Sequence, residues 1–157
     1  MRTKGFTLIE VLITILIIGI VAAIAIPNLL TAIQKSKQKG TMADMRGIGA
    51  AIESYITDNQ MAPGGGSADF TADLESYLVP FHSKPLPIID AWGTKLRYRS
   101  GAVGPTQDLY SIFSYGKDQR LTGINPANSN YPVKAIDDFD KDICFSNGNF
   151  TYAPKVK

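Results

Sequence analysis

Cysteine and histidine are almost missing from this chain: Cys144 and His82 are the single examples in 157 residues. One cysteine excludes an intrachain disulfide, so a folded region must hold together by packing or by a metal. Cys144 itself reads as a small, half-buried strand residue. The paired Cys and His spacings of zinc sites are absent. A Ser–His or Cys–His dyad would have to use His82, which lies between Phe81 and Ser83 near several prolines and reads as a loop or surface residue. Gly64-Gly65-Gly66 lacks the lysine and the following helix of a phosphate-binding loop. No basic patch is interleaved with aromatics, so no nucleic-acid partner is expected. These absences leave no catalytic constellation, and the chain is not expected to be an enzyme.

What is present is unevenly spread. The net charge of +2 comes from Arg2 and Lys4; beyond them, acids and bases balance. Phe6 to Ile26 is an almost unbroken apolar run, about the length that crosses a hydrocarbon core. Lys35, Lys37 and Lys39 follow it, flanking a membrane or lining a solvated helix face. A secretory signal would share the basic start, and Ala23-Ile24-Ala25 has the look of a cleavage site. The run is longer than a usual signal core of about 7–15 residues, and the pattern after it stays helical. A plain single-pass anchor is the second reading, with the basic leader keeping the N-terminus cytoplasmic.

Glu10 strains both. A carboxylate in a spanning helix costs about 2.5–3.5 kcal/mol at mid-bilayer, and less towards the interface. Cleavage after Gly5 would give Phe6 a new α-amine. Residues four apart share a helix face, which predicts Phe6 and Glu10 on one side. A neighbouring copy's amine pairing with Glu10 would fix axial register, because a mispaired carboxylate in low dielectric is heavily penalised.

Gly5-Phe6-Thr7-Leu8-Ile9-Glu10 resembles the processing site of the type IV pilins and of the pseudopilins of type II secretion. The resemblance implies cleavage between Gly5 and Phe6 by a prepilin peptidase that also N-methylates Phe6, and contact of Glu10 with a neighbour's N-terminus. The implied organisation is a leader peptide over 1–5, a membrane-spanning and later filament-core helix over 6–27, the amphipathic half of the same helix over 28–59, and a periplasmic head over 60–157. Pro27 lacks an N–H and clashes with the carbonyl of Ala23, which predicts a kink. By resemblance, Gly19 to Pro27 melts as the subunit enters a filament.

Beyond Pro27 the apolar residues Leu29, Leu30, Ile33, Met42, Met45, Ile48, Ile52, Tyr55 and Ile56 fall near helical spacing. Gly40, Gly47 and Gly49 either allow close packing of the head or mark flexibility. Ala62-Pro63-Gly64 predicts the helix end. Asp69 or Thr71 can cap a short helix carrying Leu74, Tyr77 and Leu78 and stopped by Pro80. Lys84 to Ile89 reads as an irregular, proline-rich connection. Alternation in 95–100 and 109–115 predicts two strands, and Asn147-Gly148 predicts a hairpin turn between 143–146 and 150–152. The fold class is therefore α+β, a long helix laid against a small antiparallel sheet. Asp90-Ala91-Trp92-Gly93-Thr94, with Tyr110 to Gly116, is most similar to the major pseudopilin of type II secretion, while 121–133 departs from the compact glycine-rich loop of that family.

Asp137-Asp138-Phe139-Asp140-Lys141-Asp142 places four carboxylates in six residues, with Asp118 upstream. Such a cluster must be solvated or neutralised, and calcium takes six to eight oxygen ligands in irregular loops. Spacing alone favours a solvated loop; it is not that of an EF-hand. The resemblance implies structural Ca2+ held by Asp118, Asp140 and Asp142, with Asp137, Asp138 and the carbonyl of Leu121 as further ligands. Asp140 and Asp142 alternate if the segment is extended.

The implied function is a structural subunit of a helical homopolymer, the major pseudopilin that drives export across the outer membrane. The implied partners are copies of itself, minor pseudopilins or minor pilins, an inner-membrane assembly platform, the prepilin peptidase and methyltransferase, and the lipid bilayer before assembly. The implied location is the inner membrane with the head in the periplasm, then a periplasmic filament. A type IV pilus subunit for motility, adhesion or DNA uptake, reaching the cell surface, is the nearest alternative. A single-pass enzyme or binding protein is the alternative of another class; a mature start at methylated Phe6, rather than at Ile26, separates them.

Overall fold

A computed structural model describes residues 5–64, 72–79, 81–82, 86–101, 108–121 and 130–155. The expected caps Asp69 and Thr71, the stop at Pro80, and most of the turn at 101–105 lie outside these residues. Helix α1 runs Leu8–Asn59, and α2 runs Ala72–Leu78. The strands are β1 Arg97–Ser100, β2 Tyr110–Ser114, β3 Asn130–Tyr131, β4 Ile143–Ser146 and β5 Asn149–Pro154, with a 3-10 turn at Ile136–Asp140 before β4. The chain divides into two compact units, Met1–Lys35 and Ser36–Lys157; α1 contributes to both.

In the first unit the helix carries its apolar side chains outward. Leu8, Ile9, Leu16, Ile20, Ile24 and Leu29 are all exposed, and the segment is long and apolar enough to cross a membrane. The helix continues through Pro27. Proline removes the amide that would donate to the Ala23 carbonyl; nearby, Asn28 Nδ2 donates to the Ile24 carbonyl at 3.1 Å and Thr31 Oγ1 to the Pro27 carbonyl at 3.0 Å.

The second unit is built on the stripe predicted by helical spacing. Met45, Ile48 and Ile52 are fully buried against Leu96, Tyr98, Ile112, Ile143 and Phe145 of the sheet layer and Leu74 and Leu78 of α2. Each such side chain contributes about 1.5–3 kcal/mol on leaving water. The stripe continues towards the N-terminus with polar residues, and these find partners. Gln38 Nε2 donates to the Tyr131 hydroxyl at 3.2 Å, and Thr41 Oγ1 accepts the Ala91 amide at 3.1 Å. Gly49 packs where a Cβ would collide with the Phe145 ring, whereas Gly40 and Gly47 face open space. The close-packing reading therefore holds for Gly49 alone of the three.

Helix α1 ends at Asn59, and Gln60 takes a left-handed φ of 59° while its amide donates to the Ile56 carbonyl at 2.7 Å. The sheet order is β1-β2-β4-β5-β3. Three pairings are antiparallel, as expected; β3 adds a short parallel pairing to β5, so the sheet is mixed. A two-residue strand inside 121–133 carries too little alternation to be read from sequence. Inward residues alternate along β2, where Tyr110, Ile112 and Ser114 are buried. Asn147 and Gly148 both have positive φ (47° and 81°), as a tight hairpin between β4 and β5 requires.

Candidate functional site

Two places gather the chemistry expected from the sequence. The first is the start of α1. Gly5 and Phe6 are exposed and precede the helix, so Phe6 does not share a helical face with Glu10 as predicted. Glu10 turns back instead. Its Oε2 accepts the Thr7 amide at 2.9 Å and the Thr7 hydroxyl at 2.7 Å, while the Glu10 amide approaches Thr7 Oγ1 at 3.4 Å. This is a capping box, in which each side chain serves the other's backbone donor. The carboxylate that strained the spanning helix is hydrogen-bonded within its own chain. The signal is present as Thr7-x-x-Glu10 before an apolar run.

The second is the turn and loop system at the end of the sheet. Asp90 is buried and organises the turn. Its Oδ1 accepts the amides of Trp92 (3.0 Å) and Thr94 (2.8 Å), and its Oδ2 accepts the Ser114 hydroxyl at 2.9 Å. Gly93, at φ 90°, closes the turn. The chain following β2 is bound to both neighbours: Gln119 Nε2 donates to the Trp92 carbonyl at 3.1 Å, and the Lys117 amide to the Phe139 carbonyl at 2.9 Å. Sequence reasoning used Asp90 only as part of a family signature. Its role as a buried acceptor became visible once β2 and the turn were brought together.

The five candidate carboxylates take different parts. Asp138 anchors the 3-10 turn: its Oδ2 accepts the Lys134 and Ala135 amides at 2.7 and 2.9 Å, and its Oδ1 pairs with Lys141 Nζ at 2.8 Å. The Lys141 ammonium, first, and the two amides hold its pKa at about 2, well below the ordinary 3.8. Asp137 is exposed. Asp118 Oδ1 accepts the Arg120 amide at 3.0 Å. Asp140 ends the 3-10 turn, so the expected extended alternation with Asp142 begins only at Lys141. Lys117 Nζ lies 3.2 Å from Asp140 Oδ1. That oxygen is shielded from solvent and, among the described residues, receives no hydrogen bond; the ammonium meets it by distance but not by angle. Asp142 is buried. The side chain of Leu121 is exposed, and 122–129 lie outside the described residues.

Calcium can be tested against this arrangement. Among the described residues no group of three or more His, Cys, Asp and Glu is placed to hold a metal ion, so Asp118 is not gathered with Asp140 and Asp142. One oxygen of Asp140 is shielded and receives no hydrogen bond among the described residues, and the carbonyls of Phe139 and Lys141 flank it in the sequence. These two carbonyls crowd the place a Cβ on Gly116 would take, each 2.7 Å away, and Gly116 has φ +68°.

His82 has partners that the sequence did not reveal. Its Nδ1 lies 3.3 Å from Ser54 Oγ and 3.7 Å from Asp58 Oδ2, and its ring stands edge-on to Tyr55. A catalytic relay needs the hydroxyl and the acid on opposite ring nitrogens; here both approach Nδ1. Cys144 is buried in β4 and burial pushes its thiol pKa up, which disfavours the reactive thiolate.

Residues 1–26 match the prokaryotic N-terminal methylation motif, and residues 28–129 match the model of type II secretion system (T2SS), protein G. The type II secretion system core protein G of Pseudomonas aeruginosa is 31% identical over 131 residues, covering 74% of this chain and 87% of that protein. Its counterpart in Vibrio cholerae is 31% identical over 124 residues, covering 74% and 84%. The type IV major pilin protein PilA of Myxococcus xanthus is 42% identical over 57 residues, covering 36% of this chain and 26% of the pilin.

Proposed function

We propose a function from one premise: this chain belongs to the type II secretion system protein G family. It is a structural subunit that stands in the inner membrane with its head in the periplasm and assembles with copies of itself into a periplasmic filament serving protein export. The observation that carries this reading is the first unit. Among the described residues nothing covers this outward-facing apolar helix, and a carboxylate stands near its start. Lipid can cover the apolar side chains but cannot use the carboxylate; a stack of identical helices can use both.

Processing between Gly5 and Phe6 is part of the proposal. It would place a new amine next to Thr7, whose amide already donates to Glu10. In a filament Glu10 would exchange its bonds to Thr7 for the amine of a neighbouring copy. Minor pseudopilins, an assembly platform and the prepilin peptidase are the remaining proposed partners. Calcium at Asp140 and Asp142 is proposed as a structural brace, supported by the shielded oxygen of Asp140. The type IV pilus reading is supported by a shorter similarity and is the less favoured.

The test is the mature chain in its own cell. The expected result is a mature N-terminus at methylated Phe6, loss of exoprotein release on deletion, and filaments on overproduction. A mature start at Ile26 would overturn assembly; lost surface fibres with intact export would favour the pilus.

A further inference from the structure

We propose that Asn147-Gly148 is a deamidation site that Tyr110 keeps closed in the folded head. Asn147-Gly148 is the one Asn-Gly pair in the sequence. Glycine has no side chain to shield its amide, so its backbone can approach the preceding carboxamide closely. Both residues are exposed at the tip of the β4–β5 hairpin. In the reaction the Gly148 nitrogen loses its proton to base and attacks Asn147 Cγ. The N–Cγ bond forms, the Cγ–Nδ2 bond breaks, and ammonia leaves with a proton taken from water. Water then opens the cyclic imide at either carbonyl, giving aspartate or isoaspartate. No oxidant, reductant or cofactor takes part.

The fold restrains both reacting groups. The Asn147 carboxamide is fixed through its Oδ1, which accepts the Tyr110 amide at 2.9 Å. The Gly148 amide donates to the Tyr110 hydroxyl at 3.2 Å. That hydroxyl in turn donates to Glu53 Oε1 at 2.8 Å. The nucleophile must give up the proton held in this chain of bonds. Its anion would then form close to a carboxylate, since a Cβ on Gly148 would lie 2.8 Å from Glu53 Oε1, and like charges at short range repel. A single residue of β2 thus holds the electrophile with its backbone and the nucleophile with its side chain. Conversion would not be silent. Isoaspartate routes the main chain through the side-chain carbon and lengthens a two-residue turn that sets Phe145 opposite Phe150 and Ser146 opposite Asn149. Aspartate adds a charge next to the glycine that faces Glu53. Either product loosens the hairpin whose Phe145 ring packs on Gly49 of α1.

Full-length protein in detergent micelles is incubated in mildly alkaline buffer, folded and in urea. Deamidation at Asn147 is followed by peptide mass for wild type, Tyr110→Phe and Ile52→Val. Wild type is expected to react about tenfold or more slowly when folded than in urea, because the turn must open first. Folded Tyr110→Phe should react about tenfold faster than folded wild type, having lost the hydrogen bond to the nucleophile. In urea the two should react alike. Ile52→Val weakens the core away from the turn and should keep the wild-type rate, which separates the hydroxyl from general loosening. Wild type after conversion should melt below unconverted wild type. Equal wild-type rates in the folded state and in urea overturn the restraint. A folded Tyr110→Phe no faster than wild type, or an Ile52→Val as fast as Tyr110→Phe, overturns the role of the hydroxyl. No reaction in urea overturns the site itself, and equal melting before and after conversion overturns the loosening of the hairpin.

Discussion

The two units of this chain solve the burial of apolar surface in opposite ways. In Ser36–Lys157 the core is closed: Ile48, Ile52, Leu96, Ile112 and Ile143 reach zero exposure. In Met1–Lys35 a comparable density of isoleucine and leucine lies on the outside of one helix. The head therefore carries its own hydrophobic stabilisation. The first unit takes its own from whatever surrounds it, lipid or other helices. The polar groups follow the same division. Gln38, Thr41 and Asp90 are buried and bonded to distant parts of the head. Among the described residues, Glu10 is bonded three residues away, to Thr7.

Substitutions can break or sharpen this contrast, and the largest effect is expected at Glu10. Glu10→Ala should leave membrane insertion intact, since it removes a group costing about 2.5–3.5 kcal/mol at mid-bilayer. Filament yield should nevertheless fall to background in sheared-fibre immunoblots. Assembly at the wild-type level would detach the carboxylate from register.

In the head, Gly49→Ala should destabilise by about 1–3 kcal/mol through overpacking on Phe145, read as a lower melting temperature with membrane insertion unchanged. Thr7→Val should cost the helix start about 0.5–2 kcal/mol by removing the capping hydroxyl. Amide exchange near the N-terminus in micelles should rise while exchange in the head stays constant.

Acid should act on the head through Asp138, whose folded pKa of about 2 lies below the ordinary 3.8. The fold favours the charged form, so this stabilisation is complete above about pH 4 and is lost as pH falls towards 2. A pH series of melts should show a step in that window, and Asp138→Asn should remove it. The smallest effect is a gain: Gly47→Ala, whose Cβ meets open space, should raise head stability by up to about 1 kcal/mol. A loss there would mean that Gly47 packs against something outside this chain.

Much of this protein was legible in the residues because the signals were local. The apolar run, the 45–48–52 stripe, the Asn147-Gly148 turn and the alternation along β2 each depend on periods of a few residues, and each formed as expected. The family signature around Gly5, Phe6 and Glu10 was likewise local, and it matches the methylation motif over residues 1–26. What failed to show was non-local or shorter than a period. Strand β3 pairs two residues with β5 across the sheet edge, and the 3-10 turn at Ile136–Asp140 interrupts a stretch read as extended.

The acidic loop shows the division most clearly. From sequence, Asp118, Asp137, Asp138, Asp140 and Asp142 were equivalent carboxylates, distinguished only by resemblance. Their roles were assigned by which cation or amide each one met. Lys141 and two amides took Asp138, Lys117 took Asp140, and the Arg120 amide took Asp118. Sequence by itself determined that one end of this chain seeks an apolar surrounding and that the other folds as α+β, since hydrophobic periodicity acts over neighbouring residues. Only the tertiary structure decided which charges are neutralised and by whom, because a Coulombic partner is chosen by distance in space and dielectric, and neither is written in the order of the residues.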